Sequence, residues 1–128
     1  MKRILLIVSS LLVLTSCTEK AIFSVADSFL TNYFEMNYEE ASLYCDSPIQ
    51  LTLQTAAQDA AELDSLLLEK VQVASSQTRY ELQQVDRKSE AGKAIISYEV
   101  YPAGSDMAVA KRMVMEKSDS KWLIKELD

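Results

Sequence analysis

Apolar residues in the first third of the chain recur every three or four positions. From residue 20 to residue 36 they form one stripe, and polar residues such as Asp27 and Glu35 take most of the opposite side. This spacing is typical of an amphipathic helix with one buried face. We therefore predict a first helix over about residues 20–36, with a buried stripe formed by Ile22, Val25, Ala26, Phe29, Leu30, Tyr33 and Met36.

Two signals for the start of a helix follow this first segment. The stretch Asn37–Glu40 has the form of a capping box, which predicts a short second helix to about Cys45. The stretch Ser47–Gln50 predicts the start of a third helix, because serine can cap the first amides and the following proline fits the first helical position. The apolar face of that helix continues in steps of four and three to Leu67, so we expect it to run to about residue 70.

Beyond residue 70 the period of the pattern changes to two. The alternation begins at Val71–Val73 and Tyr80–Leu82 and is clear in three later segments, 94–100, 109–115 and 122–124. Alternation predicts strands with one buried face, and the short breaks at 89–92, 102–106 and 118–120 predict hairpins between them. The expected fold class is α+β, with three N-terminal helices packed on a curved four-stranded antiparallel meander.

The start of the chain has a different character. A basic stretch, Met1–Arg3, precedes an apolar run, Ile4–Leu14, which is about half the roughly 20 residues that a spanning helix needs and fits a secretory signal. The stretch Leu14–Cys17 resembles the bacterial lipoprotein box. That resemblance implies a lipid on Cys17 and cleavage after Ser16; the alternatives are an ordinary signal peptide and a retained signal anchor.

These features divide the chain into three parts. We expect a signal peptide at 1–16, a lipidated cysteine and short tether at 17–20, and a single α+β domain at 21–128. A tether of three or four residues spans only about 10–14 Å, so the domain should lie against its membrane. Thr18 is not the aspartate that resembles an inner-membrane retention signal, which favours the periplasmic face of the outer membrane; the inner membrane, the cell surface and a Gram-positive membrane are the alternatives.

Composition excludes several classes of function. The chain has 13 Lys and Arg, 19 Asp and Glu and no histidine, for a net charge of −6, which disfavours binding to nucleic acid. If Cys17 carries lipid, Cys45 is the remaining thiol, cannot form an intramolecular disulfide and is expected on a buried helix face. The sequence has no cysteine pair, zinc-ligand cluster or phosphate loop, so we expect no metal site and no cofactor.

Four stretches, in their order along the chain, resemble the nuclear-transport-factor-2-like superfamily, also called ketosteroid-isomerase-like. They are 25–30, 37–41, 93–98 and 120–124, and the resemblance covers about residues 20–128. It implies that the helices cover the concave face of the sheet and form a cone, which either fills with side chains or holds a small ligand. The superfamily includes enzymes, ligand binders and assembly modules, so the fold does not settle the function.

Two functional hypotheses follow. The first is a membrane-anchored, non-catalytic binding or assembly module of the cell envelope, whose partner is an envelope protein or a second copy. The alternative is a small apolar ligand binder or a ketosteroid-isomerase-type enzyme, which would need a carboxylate base and a hydrogen-bond donor in an apolar pocket. The candidate pocket-lining residues are Tyr33, Tyr80, Tyr98 and Trp122, which also fit the core. The carboxylates considered as a base are Asp27, Glu35 and Asp46, and no spacing selects among them, so no catalytic residue is assigned.

Overall fold

The structure is a computed structural model that describes the backbone of residues 2–128 and the side chains of residues 18–128. The predicted signal peptide and the lipidation of Cys17 therefore lie outside the described side chains. In the described part, four helices precede four strands: α1 Lys2–Phe34, α2 Tyr38–Ser42, α3 Ser47–Ala61, α4 Ser65–Ser76, β1 Arg79–Asp86, β2 Lys93–Tyr101, β3 Val109–Ser118 and β4 Lys121–Leu127. The predicted α+β class is confirmed.

The first helix ends in a left-handed residue rather than a glycine. Met36 has a φ of 62°. The amide of Asn37 then donates to the carbonyl of Asn32 at 2.8 Å, and the amide of Met36 donates to the carbonyl of Tyr33 at 3.1 Å. This pair of bonds is the Schellman arrangement, which satisfies carbonyls at a helix end. It turns the chain sharply, so that α2 packs back against α1.

The prediction of three helices was wrong, because the third predicted helix is two. α3 ends at Ala61, and Asp64 begins a new helix by accepting a hydrogen bond from the amide of Leu67 at 2.9 Å. An aspartate in this position satisfies amides that a continuous helix would bond internally, so it favours a fresh start. The segment Val71–Val73, predicted as the first sign of a strand, lies in α4.

The four strands form one antiparallel sheet in sequence order, which confirms the predicted meander. In the register of β2 with β3, Tyr98 lies opposite Lys111. The register shifts once between β1 and β2, at Leu82–Gln84, and once between β3 and β4, at Val114–Met115. Irregularities of this kind bend a sheet and increase its twist, which lets it curve around the helices.

The core lies between α1–α3 and the concave face of the sheet. Its buried members on the helical side include Ile22, Ala26, Phe29, Leu30, Cys45 and Leu53, and those on the sheet side are Ala94, Ile96, Tyr98, Met113, Met115 and Ile124. The partly buried residues packed around them run from Val25 on α1 to Leu127 on β4. Cleavage after Ser16, as the sequence predicts, would leave these residues in the mature chain. Residues 18–128 are therefore the unit to study in isolation.

The α2–α3 junction is fixed directly to β4. The amide of Ile124 donates to the carbonyl of Tyr44 at 2.9 Å, and the amide of Asp46 donates to the carbonyl of Ile124 at 3.0 Å. Between them Cys45 is fully buried, and burial raises the pKa of its thiol to about 12. Cys45 is therefore an inert core residue at neutral pH, because the reactive form of a cysteine is the thiolate.

α4 differs from the other helices in contributing no residue to the core. Its side chains Leu66, Leu67, Val71 and Val73 are exposed. A hydrogen bond from Ser75 Oγ to the carbonyl of Phe34, 2.5 Å long, attaches its last turn to the end of α1. In the described part of the chain, no helix combines the length and the apolar character that crossing a membrane requires.

Candidate functional site

A cavity of about 370 Å³ lies between the helices and the concave face of the sheet. It is open at one end, where α1, α2 and α3 meet the ends of β2 and β4. Most of its wall is apolar and comes from Phe29, Leu30, Phe34, Ile49, Leu53 and Val100. Its volume is within the range of pockets that hold small molecules, roughly 300–1,000 Å³. A wider depression, lined by residues 78–81 and Tyr101, is a more open part of the surface at the start of β1.

Tyr98 is the principal polar group on the inner wall of this cavity. Its side chain is only 4% exposed, yet its hydroxyl has no hydrogen-bond partner among the described residues. Burial raises the pKa of Tyr98 to about 12, with smaller contributions from the charge of Asp128 and from Tyr33. The hydroxyl is therefore protonated at neutral pH and free to donate a hydrogen bond to a molecule in the cavity.

Tyr33 and Tyr38 lie at the helical side of the mouth. Tyr33 is 38% exposed and stacks on Phe29, with ring centroids 5.8 Å apart, and Tyr38 meets it edge-on at 5.7 Å. Burial raises the pKa of Tyr38, and Tyr33 adds to the shift. These rings give the mouth an aromatic rim with polar tips, which suits a ligand whose apolar part enters first.

Tyr80 lies outside the cavity and joins β1 to α1. Its hydroxyl donates to Asp27 Oδ1 at 2.5 Å and accepts from Thr31 Oγ1 at 2.7 Å, while its ring stacks on Phe34 with centroids 5.9 Å apart. Burial and the bond to Asp27 raise the pKa of Tyr80. Because both polar partners are on α1, this group is a clamp between the first helix and the first strand.

Replacing Tyr80 by phenylalanine is expected to cost about 1 kcal/mol of unfolding free energy, because the bonds to Asp27 and Thr31 are lost while the ring contact with Phe34 stays. Urea denaturation followed by circular dichroism measures the difference. Tyr101→Phe is the matched control, since in the described part of the chain its hydroxyl bonds to Glu99 alone, two residues away on the same strand. Equal effects of the two changes would contradict the role of Tyr80 as a clamp.

Trp122 also lies apart from the cavity. It is half-buried at the start of β4, packs against the edge of the core, and has the guanidinium of Arg87 5.8 Å from its ring centroid. Of the four aromatic residues selected from sequence, the structure brings Tyr33 and Tyr98 together in one cavity. It places Tyr80 at the clamp and Trp122 beside the loop that follows β1.

The three carboxylates considered as a base lie away from the cavity wall. Asp27 bonds to Tyr80, and Glu35 Oε2 accepts from Asn37 Nδ2 at 3.3 Å. Asp46 Oδ2 is 3.7 Å from Lys125 Nζ, and its Oδ1 is buried without a partner among the described residues. The same residues contain no group of three histidine, cysteine, aspartate or glutamate side chains placed to hold a metal ion.

Sequence reasoning missed two charged residues that line the cavity, Lys111 and Asp128. Lys111 is half-buried on β3, and Asp128 is exposed just after β4, with its Oδ2 accepting the amide of Arg112 at 3.0 Å. A signal for Lys111 was present in the sequence. Lys111, Met113 and Met115 are two residues apart, so the alternation places all three on the same face of the strand. A cation on the buried face of a strand is uncommon.

No protein-family model matches the chain, and no curated protein matches it. Among solved structures it is similar to a designed protein, Rd1NTF2_05, with a TM-score of 0.56 and 14% identity over 87% of this chain and 97% of that one. It also matches an NTF2-like protein of unknown function from Cytophaga hutchinsonii, with a TM-score of 0.43 and 8% identity over 81% of this chain and 87% of that one. The chain has the nuclear-transport-factor-2-like (NTF2-like) fold.

Proposed function

We propose that this chain is a lipid-anchored, non-catalytic binding protein of the cell envelope whose cone holds a small, mainly apolar ligand. The observation that carries the proposal is the open cavity of about 370 Å³ between the helices and the sheet. The core of a domain this small is ordinarily packed to the density of an organic crystal, with few voids larger than a water molecule. A volume of this size, lined by apolar side chains and open at one end, is suited to a guest.

The unpartnered hydroxyl of Tyr98 supports the same conclusion. Most of the Tyr98 side chain is buried, but its hydroxyl is not among the buried polar atoms without a partner, so it is open to the cavity. A ligand that carries a hydrogen-bond acceptor can take the place of water at this donor. The apolar wall and one fixed donor together match the composition of small-molecule sites, in which a few polar groups set the orientation of the ligand.

Binding is better supported than isomerase-type catalysis by the positions of the carboxylates. Such an enzyme needs a base within hydrogen-bond reach of a bound substrate. Asp27, Glu35 and Asp46 do not line the cavity, and Asp27 already accepts a bond from Tyr80. Asp128 does line it, but this side chain is exposed at the rim and its Oδ2 already accepts the amide of Arg112 at 3.0 Å.

Titration of residues 18–128 with the neutral fluorescent probe N-phenyl-1-naphthylamine tests the binding function. We expect saturable binding of one probe per chain, with the blue-shifted emission of an apolar site. Unfolding the domain in urea should release the probe in the same transition that the circular dichroism reports. A fluorescence increase that never saturates, or one that does not follow the folded state, would contradict a defined cavity site.

Anchoring is supported by the sequence alone, through the resemblance of Leu14–Cys17 to the lipoprotein box. Replacing Cys17 by serine is expected to leave an uncleaved precursor without lipid, because the thioether that carries the diacylglyceryl group requires the thiol. Metabolic labelling with a palmitate analogue and gel mobility measure both effects. Cys45→Ala is the matched control and should be labelled and cleaved normally; mature-sized, labelled protein from the Cys17→Ser chain would contradict the proposal.

A further inference from the structure

The inner face of β3 presents a cation to the cavity. Side chains two residues apart on a strand project to the same side, so Lys111 shares its face with Met113 and Met115, both fully buried. Lys111 is half-buried and is part of the cavity wall. Met113 and Met115 face the packed core. Lys111, on the same face and nearer the start of β3, faces the open end of the cone. A lysine at that position holds a positive charge beside an apolar space.

Within the segment 18–128, the ammonium of Lys111 forms no ion pair. Among the residues whose side chains are described, the ion pairs are those of Lys93 with Glu90 and of Lys125 with Asp46 and Glu116. Asp128 lines the same cavity, but it forms no ion pair with Lys111 and accepts a hydrogen bond from the amide of Arg112 instead. An ammonium at the wall of an apolar cavity, without an ion pair of its own, is placed to form a charge-assisted hydrogen bond with the anionic group of a ligand.

Lys111 and Tyr98 form a pair of donors. They are directly opposite each other in the antiparallel register of β2 and β3, so their Cβ atoms are about 4.5–5.5 Å apart on the same face. A tyrosine hydroxyl can also accept, but no hydrogen bond joins Lys111 to Tyr98 among the described residues, so each side chain keeps a proton to donate to a ligand. Two donors side by side at the inner wall match a group with two acceptor oxygens.

We propose that the ligand of the cone is a small monocarboxylate with an apolar body, whose carboxylate oxygens accept hydrogen bonds from Lys111 Nζ and Tyr98 Oη. The apolar body then lies against Phe29, Ile49 and Leu53. This inference rests on the proposed binding function and specifies its ligand class. A carboxylate is an acceptor-only group with two oxygens, and charge-assisted bonds to it are about twice as strong as neutral ones.

Asp128 limits the negative charge that a ligand of this cavity can carry. Its carboxylate lies at the rim of the same cavity, and the chain as a whole is acidic, with a net charge of −6. Because Asp128 is exposed, water and salt screen its repulsion of a single negative charge. A phosphate or dicarboxylate would bring a second negative charge to a site with one cation, so we expect a monoanion to be preferred.

The test compares two probes that differ only in their headgroup, decanoate and decanol. Each is titrated at pH 7.5 against residues 18–128 carrying bound N-phenyl-1-naphthylamine, and displacement gives the affinity. We expect decanoate to bind about tenfold more tightly than decanol, the ratio that one charge-assisted hydrogen bond typically supplies. Lys111→Met should lower the affinity for decanoate about tenfold and change that for decanol far less, because the hydroxyl of decanol carries no charge, while Lys111→Arg should restore most of the difference.

Lys117→Met is the control for the loss of a positive charge, since Lys117 is on the same strand but exposed and away from the cavity. It should leave both affinities unchanged. Equal binding of decanoate and decanol by the unmodified chain, or an equal loss of both with Lys111→Met, would overturn the carboxylate inference and leave the binding function standing. If neither the fluorescent probe nor either decyl compound binds, the binding function itself is overturned, and this inference with it.

Discussion

Phe29→Ala is expected to lower the free energy of unfolding by about 3–5 kcal/mol, the usual cost of truncating a buried phenylalanine. Phe29 is 1% exposed, packs in the core between α1 and the sheet, and stacks on Tyr33. Domains of this size are stable by only about 5–15 kcal/mol, so the loss is a large part of the total. Urea denaturation at 25 °C, followed by far-ultraviolet circular dichroism, measures it.

Phe23→Ala is the matched control for this prediction. Phe23 is on the same helix and is partly exposed, but it is not among the residues that form or surround the core. Removing its ring should cost far less than removing that of Phe29. If the two changes destabilise the domain equally, the side of α1 that we place against the sheet is wrong.

The second large effect concerns the cavity itself. Ala56→Trp is expected to abolish saturable binding of N-phenyl-1-naphthylamine, because Ala56 is a half-buried residue of α3 that lines the cavity and an indole there would occupy the space of the ligand. The measurement is the same fluorescence titration, with the fold checked by circular dichroism. The variant should remain folded, since the added ring enters open space rather than a packed contact.

Ala61→Trp provides the comparison for this change. Ala61 is the last residue of the same helix and is exposed, so a tryptophan there adds the same side chain outside the cavity. It should bind the probe as the unmodified chain does. Undiminished binding by Ala56→Trp would place the probe elsewhere, for example on the exposed apolar residues of α4.

The elements of the sheet could be predicted from sequence because their signals are local. Alternation marks β2, β3 and β4; Gly92 lies in the break before β2 and Gly104 in the break between β2 and β3, both with positive φ. The division of the third predicted helix was missed for a reason that is also local. The apolar stripe continues past residue 61, but Asp64 followed by Ser65 is itself a helix-start signal, and its bond to the amide of Leu67 outweighs the stripe.

The cavity could be predicted only in part, because it depends on which end of the sheet a residue reaches. Tyr80 and Tyr98 both fit a buried strand face. The register, however, pairs Tyr80 with Val100, which is two residues closer to the end of β2 than Tyr98 is. There the Tyr80 hydroxyl reaches Asp27 on α1. The irregularity at Leu82–Gln84 shifts the partner of Tyr80 by one residue, from Tyr101 to Val100, and no short-range pattern in the sequence predicts this shift. That Lys111 lines the cavity could have been predicted from the alternation of β3. A charged residue at a position of the buried face indicates that this position borders a cavity or solvent.

The central claim is that the cone holds a small ligand, and native mass spectrometry of residues 18–128, purified gently from a cell extract without detergent, tests it most directly. We predict a folded chain that carries an added mass, releases it on collisional activation, and loses it in the Ala56→Trp variant. The mass released should be that of a monocarboxylate. A chain that shows only its own mass, and that also gains none when decanol or decanoate is supplied, would contradict the claim.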